Sequence, residues 1–319
     1  MDEDKLTLVA RKSHFGLPTS CPSSLPIYIY LKFAKIPFNL DFNLIYPDSD
    51  QVPYVEYGPY VAYNNEKSGV IQSLKEDGIA DIDSDVCGVP EWISTKAMVN
   101  SWLSDALLYE IWLGANGNPA HEIYYSDLPW PIGKFLFFKQ VRTVKQLLGI
   151  TKENADNREE EIYRKAKIAY DALEARLGEQ DYLFDNRSTS LDAYLLSHVL
   201  IALYALPETS VLRDGLLKHA NLVRYAEHLK TECIDSSSTS VPLSQSDPSS
   251  SSTKRGPSNR SSKPKPKQKR EKTEEEKKFR KRAKYFLLAQ VVAVLVFLSV
   301  INGSDGTDME LDDDDLNYD

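Results

Sequence analysis

The hydrophobic pattern changes period along the chain. Lys5–Ala10 (KLTLVA) and Phe38–Leu44 (FNLDFNL) alternate apolar and polar positions with period two and predict strands. Between them, Ile27–Lys35 predicts a short helix with Pro26 in its first turn, where a missing backbone N–H costs nothing. Pro53–Tyr57 and Tyr60–Asn64 predict two short β segments joined by a tight hairpin at Gly58-Pro59. Val70–Lys75 starts another helix. From Glu91 onward the period turns helical. Trp92–Leu113 is apolar nearly all round, which predicts a helix buried in a bundle. Glu159–Leu177 carries a cleaner stripe (Ile162, Ala166, Ala169, Leu173 and Leu177), with Gly178 as its C-cap. Thr189-Ser190-Leu191-Asp192 is a Thr-x-x-Asp capping signal that opens the apolar helix Ala193–Leu206.

The last tenth of the chain is different. Tyr285–Ile301 reads YFLLAQVVAVLVFLSVI, broken only by Gln290 and Ser299. A bilayer core of about 30 Å needs roughly 17–25 apolar residues, so this run predicts a membrane-spanning helix. Its apolar positions are Tyr285, Phe286, Leu287, Leu288, Val291, Val292, Val294, Leu295, Val296, Phe297, Leu298, Val300 and Ile301. A basic flank precedes it, with Lys277, Lys278, Arg280, Lys281, Arg282 and Lys284 suited to anionic lipid headgroups. An acidic tail with Asp312–Asp315 follows it. Bases beside a span stay on the cytosolic side, so the head faces the cytosol and the tail crosses. The N terminus, Met1-Asp2-Glu3-Asp4, shows no signal peptide, and insertion is expected after translation. A short, moderately apolar span with a strongly basic flank suits the mitochondrial outer membrane better than the thicker plasma membrane.

Charge separates these parts. The net charge of −9 conceals fifteen Lys/Arg against four Glu in residues 254–284, and eight acids with no base in residues 302–319, leaving −12 on residues 1–253. A head of that sign, without a basic face, does not bind nucleic acid. Asp235–Lys269 is Ser, Pro and Lys with little else and predicts a disordered linker. Three cysteines without a CxxC fit a reducing compartment and exclude a disulfide framework. The resulting division is an α/β unit in residues 1–85, a helical unit in 86–234, the linker in 235–270, a basic juxtamembrane helix in 271–284, the anchor in 285–301 and the tail in 302–319.

An α/β unit in the order βαβ-ββα, followed by a helical unit whose inner helix starts with a capping box, is the order of glutathione-transferase-like proteins. The fold class expected is therefore a thioredoxin-like N-terminal unit and an all-α C-terminal unit, with a C-terminal transmembrane helix. Several stretches carry a closer resemblance: YLFDNRSTSLDAYLLSHVL (182–200), HANLVRYAEHLK (219–230), LPIYIYLKFAKIPFNLDFN (25–43) and VPYVEYGPYVAYNN (52–65). So do LGITKENA with IYRKAKIAYDALEARLGEQ (148–180), and EKTEEEKKFRKRAKYFLLAQ (271–290). Together they resemble the metaxin family, its plant members above all, over nearly the whole chain except the Ser/Pro linker. The resemblance implies a mitochondrial outer-membrane protein with a cytosolic head. It implies a place in the sorting and assembly machinery that inserts β-barrel proteins, with the barrel-shaped core subunit, import receptors and precursor proteins as partners. It also implies a binding module without catalysis.

The same fold carries glutathione enzymes, so the catalytic alternative is a tail-anchored glutathione-dependent transferase or thiol reductase using Cys21, in Cys21-Pro22-Ser23-Ser24. Such enzymes hold a thiolate at the start of the first helix, where backbone N–H groups stabilise it. Here the helix is expected to begin near Pro26, a turn beyond Cys21. Transferases also place an adjacent acid-Ser pair after the hairpin, whereas this chain separates Glu66 from Ser68. Pro53 is expected to keep the cis geometry of the fold. A third reading, within the same fold, is a regulator of mitochondrial shape. No cofactor is expected. His14, His121, His198, His219 and His228 show no metal-ligand spacing, and His198 reads as a satisfied core residue. Tyr124, Tyr125, Trp130, Phe135, Phe137 and Phe138 could form a substrate face, but their spacing fits the core of a bundle better.

Overall fold

The strand periodicity resolves into a mixed sheet. In the computed structural model, which describes residues 5–43, 51–66, 69–128, 132–184, 187–235 and Gln290, strands β1 (Leu6–Ala10), β2 (Phe38–Phe42), β3 (Tyr54–Tyr57) and β4 (Tyr60–Tyr63) pair in the order β2-β1-β3-β4. β1 runs parallel to β2, from Leu6 opposite Phe38 to Ala10 opposite Phe42, and antiparallel to β3, with Val9 opposite Tyr54. The β3–β4 hairpin turns at Gly58, whose φ of 57° suits a residue without Cβ. The Val52-Pro53 peptide before β3 is cis, as expected. Asn43 N–H donates to the Ala10 carbonyl at 3.0 Å, carrying the β1–β2 pairing one residue further and setting Asn43 beside Arg11.

Helix α1 (Leu25–Phe33) has Pro26 in its first turn and buries Leu25, Ile27, Tyr28, Ile29, Tyr30 and Leu31. It packs against α8, which is why it is apolar on more than one side. α2 (Val70–Glu76) follows the hairpin. The long apolar run from Trp92 is not one all-round buried helix. α3 (Pro90–Met98) buries only Trp92 and leaves Ile93 exposed. A π-helical stretch, Val99–Leu103, then widens the spiral before α4 (Ser104–Trp112). The wider turn rotates the following side chains, so that Leu103, Ala106, Leu107 and Ile111 reach the core. The helical part continues with α5 (Asn118–Ala120), a second π-helical stretch at His121–Tyr125, α6 (Ile132–Leu147) and α7 (Ala155–Leu177). It ends with α8 (Ser190–Tyr204), α9 (Val211–Leu217) and α10 (Ala220–Cys233).

The predicted stripe of α7 is buried at all five positions, and Gly178 caps it at φ 53°. α8 opens as its sequence says. The Thr189 side chain accepts from Asp192 N–H, and the Asp192 carboxylate accepts from Thr189 N–H at 2.9 Å. Asp192 does more than cap: it also accepts from Leu183 N–H at 2.9 Å and Tyr225 O–H at 3.0 Å. Asp83, after α2, joins the α/β part to the helical part. Its carboxylate accepts from both the N–H (2.7 Å) and the hydroxyl of Ser190, and pairs with Lys75 at 2.8 Å. Both parts lie within one compact unit, Met1–Gln245.

Among the described residues no helix is long and apolar enough to cross a membrane. The predicted linker beyond Asp235, the basic flank, the acidic tail and the anchor Tyr285–Ile301, Gln290 apart, lie outside the described residues.

Candidate functional site

Chain reversal after β1 builds the site. Arg11 and Lys12 leave the sheet. Phe15 and Gly16 adopt positive φ (53° and 72°), and the Leu17 N–H donates back to His14 at 2.9 Å. Thr19, Ser20 and Cys21 then run into α1. A turn precedes that helix, with Ser24 and Leu25 N–H both donating to the Cys21 carbonyl at 3.0 Å. Helix α1 therefore starts at Leu25, close to the predicted start, and Cys21 lies before it.

Cys21 is 1% exposed. Its Sγ lies 3.1 Å from the Ser23 hydroxyl and 3.4 Å from the Tyr124 hydroxyl, which reaches it from the π-helical stretch after α5. The Arg11 guanidinium carbon lies over the Tyr124 ring, 4.9 Å from its centroid. Trp112 stacks on the same tyrosine at 5.1 Å and fixes its plane. Burial, the largest influence, works to raise the thiol. The Arg11 charge and the Ser23 and Tyr124 hydroxyls oppose it, and together they hold Cys21 below the ordinary thiol value. Burial and the neighbouring thiol push the Tyr124 phenol well above its usual value, so it remains a donor. The thiol is thus tuned by the Arg11 charge together with the Ser23 and Tyr124 hydroxyls.

In front of Arg11 a small open cleft is lined by Arg11, Lys12, Asn43, Ile123, Tyr124, Asp127 and Leu128. Lys12 is already engaged, with Asp127 at 2.5 Å and the Ser126 hydroxyl at 2.7 Å. Cys21 is buried and is not among the residues that line this opening.

The other predicted candidates scatter. Glu66 is exposed on the turn after β4 and is not brought to Cys21 by any contact; Ser68 lies outside the described residues. Gly69 (φ 100°), the residue before α2, would strain any residue with a Cβ. His198 is a core residue as predicted: its Nε2 shares a hydrogen bond with Tyr170 O–H at 2.7 Å, and burial lowers its pKa to about 3. His219 Nδ1 meets Glu174 at 2.8 Å. Among the described residues no His/Cys/Asp/Glu group could hold a metal. The aromatic group divides. Tyr125 is buried, Tyr124 and Phe137 are half-buried against Trp112, Phe138 is exposed, and Trp130 lies outside the described residues. No sequence signal could have found Arg11 and Tyr124 as partners, since 113 positions separate them.

Comparisons with known proteins agree with this architecture. Residues 22–117 match the family profile "Glutathione S-transferase N-terminal domain", and residues 166–229 match "Glutathione S-transferase, C-terminal domain". The chain is 56% identical over 310 residues to the "Mitochondrial outer membrane import complex protein METAXIN" of Arabidopsis thaliana, covering 97% of this chain and 96% of that protein. It is 24% identical to Metaxin-1 of Mus musculus, over 77% of this chain and 80% of that one. Among solved structures, a glutathione S-transferase from Methylobacterium radiotolerans, crystallised with glutathione sulfonate, is 16% identical with a TM-score of 0.46. That alignment covers 79% of this chain and 99% of the other.

Proposed function

Since the chain belongs to the metaxin family, we propose that it is a non-enzymatic component of the mitochondrial outer-membrane protein import machinery that supports the sorting and insertion of β-barrel precursors. The end-to-end likeness to the Arabidopsis protein, whose name assigns that protein to an outer membrane import complex, carries this reading. In it, the glutathione-transferase-like head faces the cytosol on the anchor Tyr285–Ile301. The basic flank at Lys277–Lys284 holds that orientation by the charge rule for spans. Its partners are the β-barrel assembly core, import receptors and precursors.

Two features of the site support the absence of catalysis. The Cys21 thiol is buried, and Glu66 is not adjacent to Ser68 as the acid-Ser pair of transferases would require. One observation favours thiol chemistry instead: Cys21 is held below the usual thiol value by Arg11. Two measurements separate the readings. Purification of the tagged full-length protein from mitochondria in mild detergent is expected to recover the β-barrel assembly core; its absence from the eluate would refute the scaffold reading. Cys21→Ala is expected to leave β-barrel import within twofold of wild type, whereas a loss of tenfold or more would move the function to the thiol.

A further inference from the structure

Arg11 is largely buried and, among the described residues, has no carboxylate partner. It is 9% exposed, yet among the described residues it makes no ion pair and no hydrogen bond; its close contact is the face of Tyr124. Buried guanidinium groups are normally matched by a carboxylate, because an unpaired charge in a low-dielectric site costs several kcal/mol. Among the described residues lining the cleft, Asp127 carries a carboxylate, and it pairs with Lys12. The Arg11 charge also acts on Cys21, a weak acid whose Sγ lies 3.4 Å from the Tyr124 hydroxyl.

The cleft supplies the missing partner. Arg11 lines it together with Lys12 and Asn43, which arrive from the ends of two neighbouring parallel strands. A guanidinium presents a planar fork of donors matched to two oxygens of a carboxylate or phosphate. Lys12 is paired with Asp127, so Arg11 is the cation of the described lining that has no carboxylate partner, and its guanidinium carbon lies 4.9 Å from the Tyr124 ring centroid. We propose that this cleft is a binding site for a small oxyanion, a carboxylate or phosphate group held bidentately by Arg11. The Asp127 carboxylate on the same rim limits the site to one anionic group, since a second would lie against like charge. The site lies outside the predicted membrane segments and does not depend on the scaffold reading.

The oxyanion can come from a free ion or from the carboxylate of a peptide, and the test separates these sources. Thermal unfolding of the full-length protein in detergent is followed while inorganic phosphate, acetate or S-methylglutathione is titrated at constant ionic strength held with sodium chloride. A saturable rise of about 5–10 °C at a hundredfold excess over Kd is expected for at least one of them. Saturation by phosphate or acetate at concentrations no higher than the peptide requires assigns a free ion; saturation by S-methylglutathione at tenfold lower concentration assigns a peptide carboxylate. Arg11→Gln is expected to abolish the rise, and Arg11→Lys, which keeps the charge and loses the fork, to weaken binding about tenfold. If Arg11→Gln does not fold, Arg11→Lys decides alone. No saturable rise in the wild type, or an equal rise in the Arg11 variants, would overturn the site.

Discussion

A few buried polar residues carry much of the specificity of this head. Asp192 is fully buried and accepts from Leu183 N–H, Thr189 N–H, Thr189 O–H and Tyr225 O–H. Burial raises its pKa despite these bonds. Asp192→Ala leaves four buried donors unsatisfied and is expected to destabilise the head by about 3–5 kcal/mol, read as a fall in the urea midpoint at constant m. Asp192→Asn, which keeps the shape, should cost less. His198 sets a pH dependence. Its folded pKa of about 3 lies below the unfolded value of 6.5, so only the unfolded chain binds the proton between these limits. Stability is then complete above about pH 6.5 and falls as pH is lowered, by up to about 1.4 kcal/mol per unit. Asp192 acts in the opposite sense: with its folded pKa raised, its contribution is present at acid pH and lost as pH rises through that value. The net trend is checked by urea unfolding at pH 7.5, 6 and 5. His198→Gln should flatten the acid slope, and an unchanged slope would remove His198 from the account. Cys21 shows the limit of local reading. The start of α1 was legible from Pro26, but the thiol's actual neighbour, Arg11, was not.

At the scale of elements, the strongest long-range tie is the Asp83 staple between the segment after α2 and the first turn of α8. Asp83 combines a buried ion pair with Lys75 and two hydrogen bonds from Ser190. Removing one partner of a buried pair strands the other, so Asp83→Ala is expected to cost about 3–5 kcal/mol. Hydrogen exchange should then speed up at the Ser190–Asp192 amides and in α1, which packs on α8. Protection confined to the wild-type pattern would show that the staple is not what holds the two parts together. The α7 stripe and the α8 capping box were readable because periodicity and capping act within a few residues. The run Trp92–Leu113 was misread as one buried helix for the converse reason. A π-helical stretch changes which face meets the core, and a buried Glu110 is tolerated there because Tyr163 O–H (3.0 Å) and Leu212 N–H (3.1 Å) donate to it.

For the whole molecule, composition and architecture describe a folded acidic head joined through a Ser/Pro/Lys segment to an apolar run. Deleting Tyr285–Ile301 is expected to move the protein from the alkali-resistant membrane pellet to the supernatant while the head still unfolds cooperatively. A truncated chain that stays in the pellet would refute the anchor. The sequence by itself determined the strands and first helix of the α/β unit, the stripe of α7, the capping box of α8 and the likeness to metaxins. Each of these is written in residues that are close in the chain or in a continuous pattern. Only the tertiary structure decided that Arg11, Tyr124 and Cys21 share one site, that Asp83 reaches Ser190 and that Glu110 is satisfied by Tyr163 and Leu212. The physical reason is range. Propensity, periodicity and capping act over a few residues, whereas the cost of a buried charge or thiol depends on groups that folding brings from a hundred positions away.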